Sequence, residues 1–404
     1  QSVDDYVNML KQQDALTPAK KAAALNALTT TLFFSHRLEE MEQRADEALE
    51  AAKLAGSEEL RLDTMILMGL KHLCYGEVHA GMPIIDDVIN SARQINYKPA
   101  LLAGITWRGC LYYFQTEYER AIECEIEARK LASELRDGFL LLTAMFFHGL
   151  SFGNLGHMSE GLSILEDAIS KARRNGDRFW FPRMPNCIGW IHRELQNFEG
   201  ALRHDEEGLQ VGREFHVVEA EGNSLINLGI DHTLADKPTD AAKAFHQTQD
   251  IFERDKWFRW RYSIRLESAT TAHWLKQGDF AKAREFAQRA KDISNEFKCR
   301  KYLAVAHKLS AEIELAEGNL DSARSELEQA LKILDDYPVP VVRWRVLADL
   351  GLVLNETGDS VGAKAAFANS RQIIEHIASH VNDEALRSTF INSQAVQQVL
   401  TVVG

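Results

Sequence analysis

Apolar residues recur at helical spacing along the whole chain. In segments such as AAALNALTTTLFF, RAIECEIEARKLASEL and ARSELEQALKIL, they fall at positions i, i+3, i+4 and i+7, which places them on one face of an α-helix. Short polar stretches with glycine and helix-capping residues, such as GSEE and QGD, separate the helices. No segment has the strict alternation that predicts a β-strand. The pattern therefore predicts an all-α protein.

The helices come in pairs that repeat about every 40 residues. One turn residue marks each pair: His36, Gly76, Thr116, Gly156, Gln196, Asp236, Gly278, Gly318 and Gly358. Successive markers are 40 residues apart, except for one step of 42. Each period holds two helices of roughly 18 residues and two short turns. The sequence therefore predicts about nine helix–turn–helix repeats, which stack with each unit against its neighbours.

Small residues recur at a fixed place in the first helix of each repeat, seven residues before the marker. They are Thr29, Gly69, Gly109, Gly149, Gly189, Gly229, Thr271, Ala311 and Gly351. A second series of mostly small residues follows each marker by five positions. Glycine inside a helix costs about 1 kcal/mol relative to alanine. Close approach of the two helices, which small side chains allow, offsets this cost through packing.

These positions resemble the small-residue columns of the tetratricopeptide repeat. GDFAKAREFAQRA and GNLDSARSELEQA are close matches, whereas HRLEEM and DKPTDA are weak ones. The resemblance implies a right-handed α-solenoid whose first helices line a concave groove, closed by capping helices. The repeat is longer than the family's usual length of about 34 residues. Each helix is therefore about three residues, or ~4.5 Å, longer, and the pitch of the superhelix is expected to differ.

A further resemblance covers nearly the whole chain. The forty-residue units, the string IGWIHRELQNFEGALRHDEEGLQ and the tail HIASHVNDEALRSTFINSQAVQQVL are similar to the C-terminal region of large bacterial signal-transduction ATPases of the STAND type. This resemblance implies a sensor array for an effector or partner, covalently attached in the full-length protein to an upstream nucleotide-binding switch module. This chain contains no G-x-x-x-x-G-K-[ST] sequence.

The predicted organisation has three parts: a leading helix in residues 1–16, the repeat array in 17–380 and capping helices in 381–404. Residues 2–13 read as one helix, and Thr17 followed by Pro18 reads as the N-cap of the first repeat. Asn382 and Ser393 are expected N-caps of the capping helices. Four apolar residues of that segment are expected to cover the last repeat: Phe390, Ile391, Val396 and Leu400.

The formal net charge of −13 argues against nonspecific nucleic-acid binding and against docking on anionic membranes, because both need clustered cations. The five cysteines have no paired spacing, which favours reduced thiols over a disulfide framework. The N-terminal segment has no apolar core typical of a secretion signal, and the longest apolar run is too short to span a bilayer. A cytoplasmic protein is expected.

Cationic and amide side chains concentrate on the predicted concave face from the fifth repeat onwards. The candidate ligand-binding residues are Arg183, Asn186, Trp190, Arg193, Asn223, Arg265, Lys308 and Arg345. Guanidinium groups present forked donors to carboxylates and phosphates, so this wall is a candidate site for a small anionic effector or an acidic peptide. The alternative is that the arginines pair with acids such as Glu194 and Glu267 and only solvate the inner surface.

The segment FWFPRMPNCIGW places Pro182 and Pro185 where the first helix of the fifth repeat is expected. Proline inside a helix removes a hydrogen bond and breaks or kinks the rod. The fifth repeat is therefore expected to start late or to bend. Such a break either widens the groove for a ligand or is a packing irregularity, and the sequence favours neither.

Other sequence features do not add up to catalysis or metal binding. Two groups have spacings that could suit a metal: His376 with His380, and His72 with Cys74 and His79. Neither matches a dense ligand motif such as H-E-x-x-H, so no metal and no cofactor are expected. His204 and Asp205 are adjacent but lie inside a predicted helix without companion residues, and no nucleophile motif such as G-x-S-x-G occurs.

The sequence thus predicts a non-enzymatic ligand-sensing or protein-interaction array, the C-terminal regulatory part of a bacterial signalling ATPase or transcriptional regulator. The main alternative is a free-standing scaffold that binds an extended peptide or protein segment. A hydrolase with its site in the concave channel is a third, less favoured interpretation.

Overall fold

The computed structural model describes residues 3–11, 16–255 and 257–402, and these residues form 21 α-helices and no β-strand. The helices, in chain order, are α1 Val3–Lys11, α2 Pro18–Phe34, α3 Leu38–Leu54, α4 Glu58–Cys74, α5 Val78–Gln94, α6 Lys98–Phe114, α7 Tyr118–Leu135, α8 Gly138–Asn154, α9 Met158–Asn175, α10 Pro185–Glu194, α11 Phe198–Glu214, α12 Val218–Leu234, α13 Pro238–Arg254, α14 Arg259–Lys276, α15 Phe280–Glu296, α16 Arg300–Ala316, α17 Leu320–Asp336, α18 Pro340–Glu356, α19 Ser360–Ser379, α20 Glu384–Ile391 and α21 Gln394–Val402. No helix in the described ranges combines the length and hydropathy needed to cross a membrane.

The nine predicted markers are all left-handed turn residues. Their φ angles are positive, between 57° at Asp236 and 84° at Gly156 and Gly358. The amide after each marker commonly bonds back to the last turn of the preceding helix; the Asn197 amide, for example, donates to the His192 carbonyl oxygen at 2.9 Å. This is the backbone pattern that ends a helix with a left-handed residue. Helices α2 to α19 therefore form nine antiparallel pairs, as the sequence predicted.

The small-residue column packs against the second helix of its own repeat. Each glycine of the column faces the residue nine positions after the marker, and a Cβ atom on Gly149 would lie 2.7 Å from the Leu165 Cγ. A Cβ on Gly351 would likewise lie 2.8 Å from the Phe367 ring. The eighth repeat has alanine and leucine at these two positions, Ala311 and Leu327. The two positions therefore compensate in size, and the glycines allow large side chains opposite them.

The ends of the array agree with most of the sequence predictions. The predicted helix over 2–13 is present as α1, and residues 2, 12 and 13 lie outside the described residues. Thr17 caps α2 by accepting a hydrogen bond from the Lys20 amide at 3.4 Å. The prediction of Asn382 as an N-cap is wrong, because Asp383 caps α20 through the Leu386 amide. An aspartate directly before the helix satisfies a free amide that a residue one position earlier does not reach.

The chain divides into two compact units. Unit 1 comprises the described residues within 1–112, 123–144 and 256–258, and unit 2 comprises those within 113–122, 145–255 and 259–404. In unit 1, the Trp257 ring contacts the Phe33 ring edge-to-face at 4.8 Å and stacks on the His36 ring at 4.2 Å. Unit 2 contains every candidate ligand-binding residue predicted from the sequence.

Unit 2 closes on itself through contacts between segments far apart in the chain. The Lys301 Nζ donates to the Asn154 Oδ1 at 2.7 Å, and the Asn382 amide donates to the Ser159 Oγ at 2.7 Å. The Ser159 amide in turn donates to the His380 carbonyl oxygen at 3.0 Å. The end of α19 therefore lies against the start of α9. We call the surface that carries the candidate ligand-binding residues, from the start of the fifth repeat through α10, α12, α14, α16 and α18, the inner wall of unit 2.

The first helix of the fifth repeat starts late. A short 3-10 helix occupies Phe181–Arg183, and α10 begins only at Pro185. A proline at the first helical position costs no hydrogen bond, because that amide has no partner within the helix. Trp180 is only 4% exposed and lies 4.9 Å from the Phe146 ring, so the break is filled by aromatic side chains.

Candidate functional site

The inner wall of unit 2 carries two kinds of cations, which differ in whether a carboxylate holds them. Arg183 belongs to the first kind. Its Nε and Nη2 atoms donate to the Glu219 Oε2 at 3.0 and 2.9 Å, and both side chains are about nine-tenths buried. Glu219 also accepts a hydrogen bond from the Tyr262 hydroxyl. The Arg183 Nη1 atom donates to the Phe179 carbonyl oxygen, so Arg183 ties α12 to the start of the fifth repeat.

Arg193 is held even more tightly, between two buried aspartates. Its Nε donates to the Asp231 Oδ1 at 2.7 Å, and its Nη2 donates to Asp205. Asp205 is fully buried, and Arg193 is 9% exposed. Burial raises the pKa of Asp205 to about 8, against the opposing effect of the Arg193 cation. The Nε and Nη2 donors of Arg193 are already bound to these two side chains, which leaves Arg193 little to offer a further anion.

Lys308 and Arg345 are also paired with acids. The Lys308 Nζ lies 2.5 Å from the Glu312 Oε1 and 3.2 Å from the Asp349 Oδ2. The Arg345 Nη1 donates to the Glu194 Oε2 at 2.7 Å. Glu194 was one of the two acids named in the alternative interpretation of the sequence. The other, Glu267, lies 4.0 Å from Arg289 on the next helix.

The two predicted asparagines bind each other. The Asn223 Nδ2 donates to the Asn186 Oδ1 at 2.5 Å, and Asn227 joins them by donating to the Asn186 carbonyl oxygen at 3.0 Å. Among the described residues, the buried Asn186 Nδ2 and Asn223 Oδ1 have no hydrogen-bond partner. The pair therefore retains one free donor and one free acceptor.

Three further cations on this wall have no carboxylate within ion-pair distance among the described residues: Arg261, Arg265 and Lys301. The Arg265 Nη2 donates to the neutral Asn227 Oδ1 at 2.6 Å. The Lys301 Nζ donates to the neutral Asn154 Oδ1, as described above. Arg261 contacts two aromatic rings, with its guanidinium carbon 5.1 Å from the Phe114 centroid and 5.2 Å from that of Tyr262. We call these three residues the cation cluster.

Aromatic rings surround the cation cluster and lower its access to water. The Lys301 Nζ lies 4.8 Å from the Trp190 ring centroid and 5.4 Å from that of Tyr302. Burial lowers the pKa of Lys301; Tyr302 and the Glu194 carboxylate oppose this effect, and Arg265 and Arg261 add to it. The cluster is thus a set of partly desolvated positive charges that repel one another, and an anion placed among them would relieve that repulsion.

A cavity of about 390 Å³ lies along the same wall. Trp190 connects it to the cluster, because the indole Nε1 donates to the Glu194 Oε1 at 2.9 Å and Glu194 lines the cavity. Three apolar side chains in its lining are unusually exposed: Phe198 at 42%, Leu234 at 45% and Leu352 at 48%. The wall therefore offers a cationic region beside a partly apolar one.

The residues predicted from the sequence include Arg265 and Trp190 but not Arg261 and Lys301. The two missed cations both lie 17 residues before their markers, one helical turn earlier than the column that contains Arg265. Their recurrence in consecutive repeats was the available signal. The prediction considered four inward positions per first helix, and Arg261 and Lys301 lie one helical turn before the earliest of these positions.

The adjacent His204 and Asp205 do not form a catalytic pair. The His204 Nδ1 lies 3.6 Å from the Glu207 Oε2, whereas the Asp205 carboxylate faces Gly189 and Arg193. All five cysteines lie in the described part of the chain, are buried and form no disulfide. Burial raises the pKa of Cys187 and of Cys299 to about 12, which keeps these thiols protonated and poorly nucleophilic at neutral pH.

No family model matches the sequence, and no curated protein sequence matches it. Solved structures are similar to it. A Rap protein complexed with competence and sporulation factor has a TM-score of 0.67 at 15% identity, covering 89% of this chain and 99% of that one. The Rap conjugation gene regulator of the plasmid pLS20, in complex with the Phr* peptide, has a TM-score of 0.56 at 15% identity and covers 91% of this chain and 99% of that one.

NprR in complex with its cognate peptide NprX has a TM-score of 0.53 at 12% identity, covering 85% of this chain and 98% of that one. Similarity at these identities shows the fold. Together with the nine helix pairs and their left-handed turns, it establishes this chain as a tetratricopeptide-like array of α-helical repeats.

Proposed function

We propose that this chain is a non-enzymatic binding array in which the inner wall of unit 2 binds an extended peptide or protein segment through an acidic group of that segment. The observation that carries this proposal is the cation cluster, whose three members have no carboxylate partner among the described residues. The other predicted cations of the wall are each held by at least one acid. Positive charge that is not already paired with an acid is therefore concentrated at the cation cluster.

The chemistry of the cluster suits a carboxylate. Two guanidinium groups and one ammonium group supply forked and single donors to the two oxygens of such a group. Hydrogen bonds to charged groups contribute about 1.5–3 kcal/mol each. The partly apolar cavity beyond Trp190 would take a neighbouring apolar side chain of the same segment, since binding sites commonly combine an apolar pocket with a few polar groups.

The residues predicted from the sequence divide into two roles within this proposal. Arg265 belongs to the cation cluster and Trp190 lies beside it, and both are proposed contacts together with Arg261 and Lys301. The remaining six are proposed supports that hold the wall: Arg183, Asn186, Arg193, Asn223, Lys308 and Arg345. A support acts through the helices that it joins, so its replacement should change stability before it changes affinity.

The structural neighbours support a peptide as the ligand class. Three of them carry a competence and sporulation factor, the Phr* peptide and the peptide NprX, respectively. As the wider setting, we propose the regulatory part of a bacterial signalling ATPase or transcriptional regulator, where occupancy of the wall would favour one arrangement of the repeats. A free-standing scaffold is the alternative, and the full reading frame that encodes this chain separates the two.

A peptide-capture experiment tests the binding proposal. Immobilised protein is exposed to a pool of synthetic hexapeptides with free C-terminal carboxylates, and to the same pool with amidated C-termini and with Asn and Gln in place of Asp and Glu. Mass spectrometry of the retained peptides should show enrichment of acidic or free-carboxylate peptides. Equal retention from both pools would contradict the proposal, and so would retention from neither.

Single variants assign the binding to the cluster. Arg265→Gln and Lys301→Gln should each weaken binding of a retained peptide about 10- to 100-fold, the equivalent of one charged hydrogen bond. Lys332→Gln is the matched control, because Lys332 is exposed on the second helix of its repeat. Unchanged affinity in both cluster variants, with far-ultraviolet circular dichroism unchanged, would show that the ligand binds elsewhere.

A further inference from the structure

A group of histidines lies where the end of α19 contacts the start of α9 in unit 2. His157 is the N-cap of α9 and Glu160 lies in its first turn, whereas His376 lies in the last turn of α19 and His380 is its C-cap. The ring centroids of His157 and His380 are 4.0 Å apart, and those of His376 and His380 are 4.6 Å apart. The four side chains meet on one surface although the two helices are distant in the sequence.

Three of these side chains already have the geometry of a loose metal site. One ligand atom from each of His157, Glu160 and His380 lies within 4.8 Å of the other two. In a tetrahedral zinc site, bonds of about 2.0–2.2 Å place the ligand atoms about 3.3–3.6 Å apart. Rotations of these partly exposed side chains would bring the ligand atoms to that separation. The Glu160 Oε2 has no hydrogen-bond partner among the described residues, so one carboxylate oxygen is available.

Backbone carbonyls orient two of the imidazole rings. The His380 Nδ1 lies 2.9 Å from the His376 carbonyl oxygen, which favours a proton on Nδ1 and leaves the Nε2 lone pair for a metal. The His376 Nε2 lies 3.4 Å from the Leu155 carbonyl oxygen, 221 residues away in the chain, which leaves its Nδ1 lone pair. Metal-binding histidines usually donate their other ring N–H to a carbonyl or carboxylate in this way.

The backbone at this contact is close-packed. A Cβ atom on Gly156 would lie 2.9 Å from the Ile377 Cγ1. The hydrogen bonds from the Ser159 amide to His380 and from the Asn382 amide to Ser159 join the same two segments. The ligand-bearing segments are therefore held in place before any metal arrives, which lowers the entropic cost of ordering the ligands.

We propose that His157, Glu160 and His380, with His376 as a fourth ligand, bind a divalent transition-metal ion such as Zn²⁺ at the contact between α9 and α19. Three imidazoles and one carboxylate match the donor preference of zinc. The His157 side chain is 30% exposed and that of Glu160 is 44% exposed, so an ion can reach them from solvent. A bound ion would join the two segments that close unit 2. This inference does not depend on the peptide site.

Metal titration tests this proposal. Tag-free protein, first treated with a chelator, is titrated with Co²⁺ and with Zn²⁺ at pH 7.5. We expect one equivalent of Zn²⁺ with a dissociation constant of about 1 µM or lower, and intense visible absorption of the Co²⁺ form, as tetrahedral coordination produces. Binding weaker than about 100 µM, or the weak absorption of a hydrated ion, would overturn it.

Variants locate the ion. His157→Ala and His380→Ala should each weaken Zn²⁺ binding at least 10-fold. His246→Ala is the matched control, because His246 is an exposed histidine that faces an aspartate four residues later and should leave the affinity unchanged. Equal losses in all three variants would indicate unspecific surface binding and would overturn the assignment. If a variant fails to fold, the Co²⁺ spectrum of the wild-type protein still decides.

Discussion

Glu125 occupies a position where seven of the other eight repeats have an apolar side chain, the exception being Asp205, and we expect its replacement to stabilise the protein. It lies on α7 opposite Gly109 and is fully buried. Neither carboxylate oxygen has a hydrogen-bond partner among the described residues. The corresponding residue of the fourth repeat is Leu165, opposite Gly149. Glu125→Leu therefore restores a pairing that this fold already uses.

The size and sign of the effect follow from the burial of the carboxyl group. A buried polar group without a partner costs about 1–3 kcal/mol. Burial also raises the pKa of Glu125 well above its usual value of 4.5, more than the nearby Arg129 cation lowers it. Below pH 4.5 the group is protonated in both the folded and the unfolded state, so titration has no effect there. Above that pH the unfolded state releases the proton first, and the wild-type protein loses up to about 1.4 kcal/mol of stability per pH unit until the folded pKa is reached.

Urea unfolding of both proteins at pH 5.0 and pH 7.5, followed by circular dichroism, measures this difference. Glu125→Leu should be more stable by about 1–3 kcal/mol at pH 5.0 and by a larger margin at pH 7.5. Hydrogen exchange of α6 and α7 peptides assigns the change to this part of unit 1. Glu123→Leu, the matched control at an exposed position on the same helix, should change stability little. A less stable Glu125→Leu protein, or a difference that shrinks as the pH rises, would refute the reasoning.

Three other predictions concern the packing of unit 2. Gly351→Ala should destabilise the protein by about 1–3 kcal/mol in thermal unfolding, because the new methyl group overlaps the Phe367 ring. Adding Phe367→Leu, which recreates the alanine–leucine pair of the eighth repeat, should recover most of the lost stability. No recovery would contradict the size compensation between the two positions. Arg193→Met should cost about 3–5 kcal/mol at pH 8 by leaving two buried aspartates without a cation, and urea midpoints should show a smaller loss at pH 5, where Asp205, whose pKa burial raises to about 8, is protonated. Burial lowers the pKa of His192 to about 4, so the unfolded protein binds a proton at this residue before the folded protein does, and stability is lost as the pH falls from 6.5 towards 4. His192→Gln should therefore reduce the loss of stability between pH 6.5 and pH 4. An unchanged loss would show that the histidine does not titrate on unfolding.

The candidate site could be predicted from the sequence only in part. Arg265 and Trp190 could be named as candidates because inward positions recur with the repeat. The roles of Arg183 and Arg193 could not be separated from that of Arg265, because all three are arginines on the same face. Only the positions of Glu219, Asp205 and Asp231 decide which cations are neutralised, and these acids lie on other helices.

The sequence by itself determined the repeat, its turns and the pairing of helices within each repeat. These features are local: a left-handed turn residue, a helix of about five turns and a small residue opposite a large one all lie within one forty-residue period. Because these features recur in nine repeats, a weak match in one repeat is supported by clear matches in the others. Even the late start of the fifth repeat could be expected from Pro182 and Pro185.

The tertiary structure alone decided the contacts between distant repeats. Arg345 meets Glu194 across 151 residues, and the histidines of α19 meet His157 of α9. Such contacts depend on the small rotation between neighbouring repeats, accumulated over several of them. No local pattern encodes that sum, because it comes from how every helix pair packs on the next. The free cations and the histidine cluster are therefore properties of the folded unit 2, although each residue is visible in the sequence.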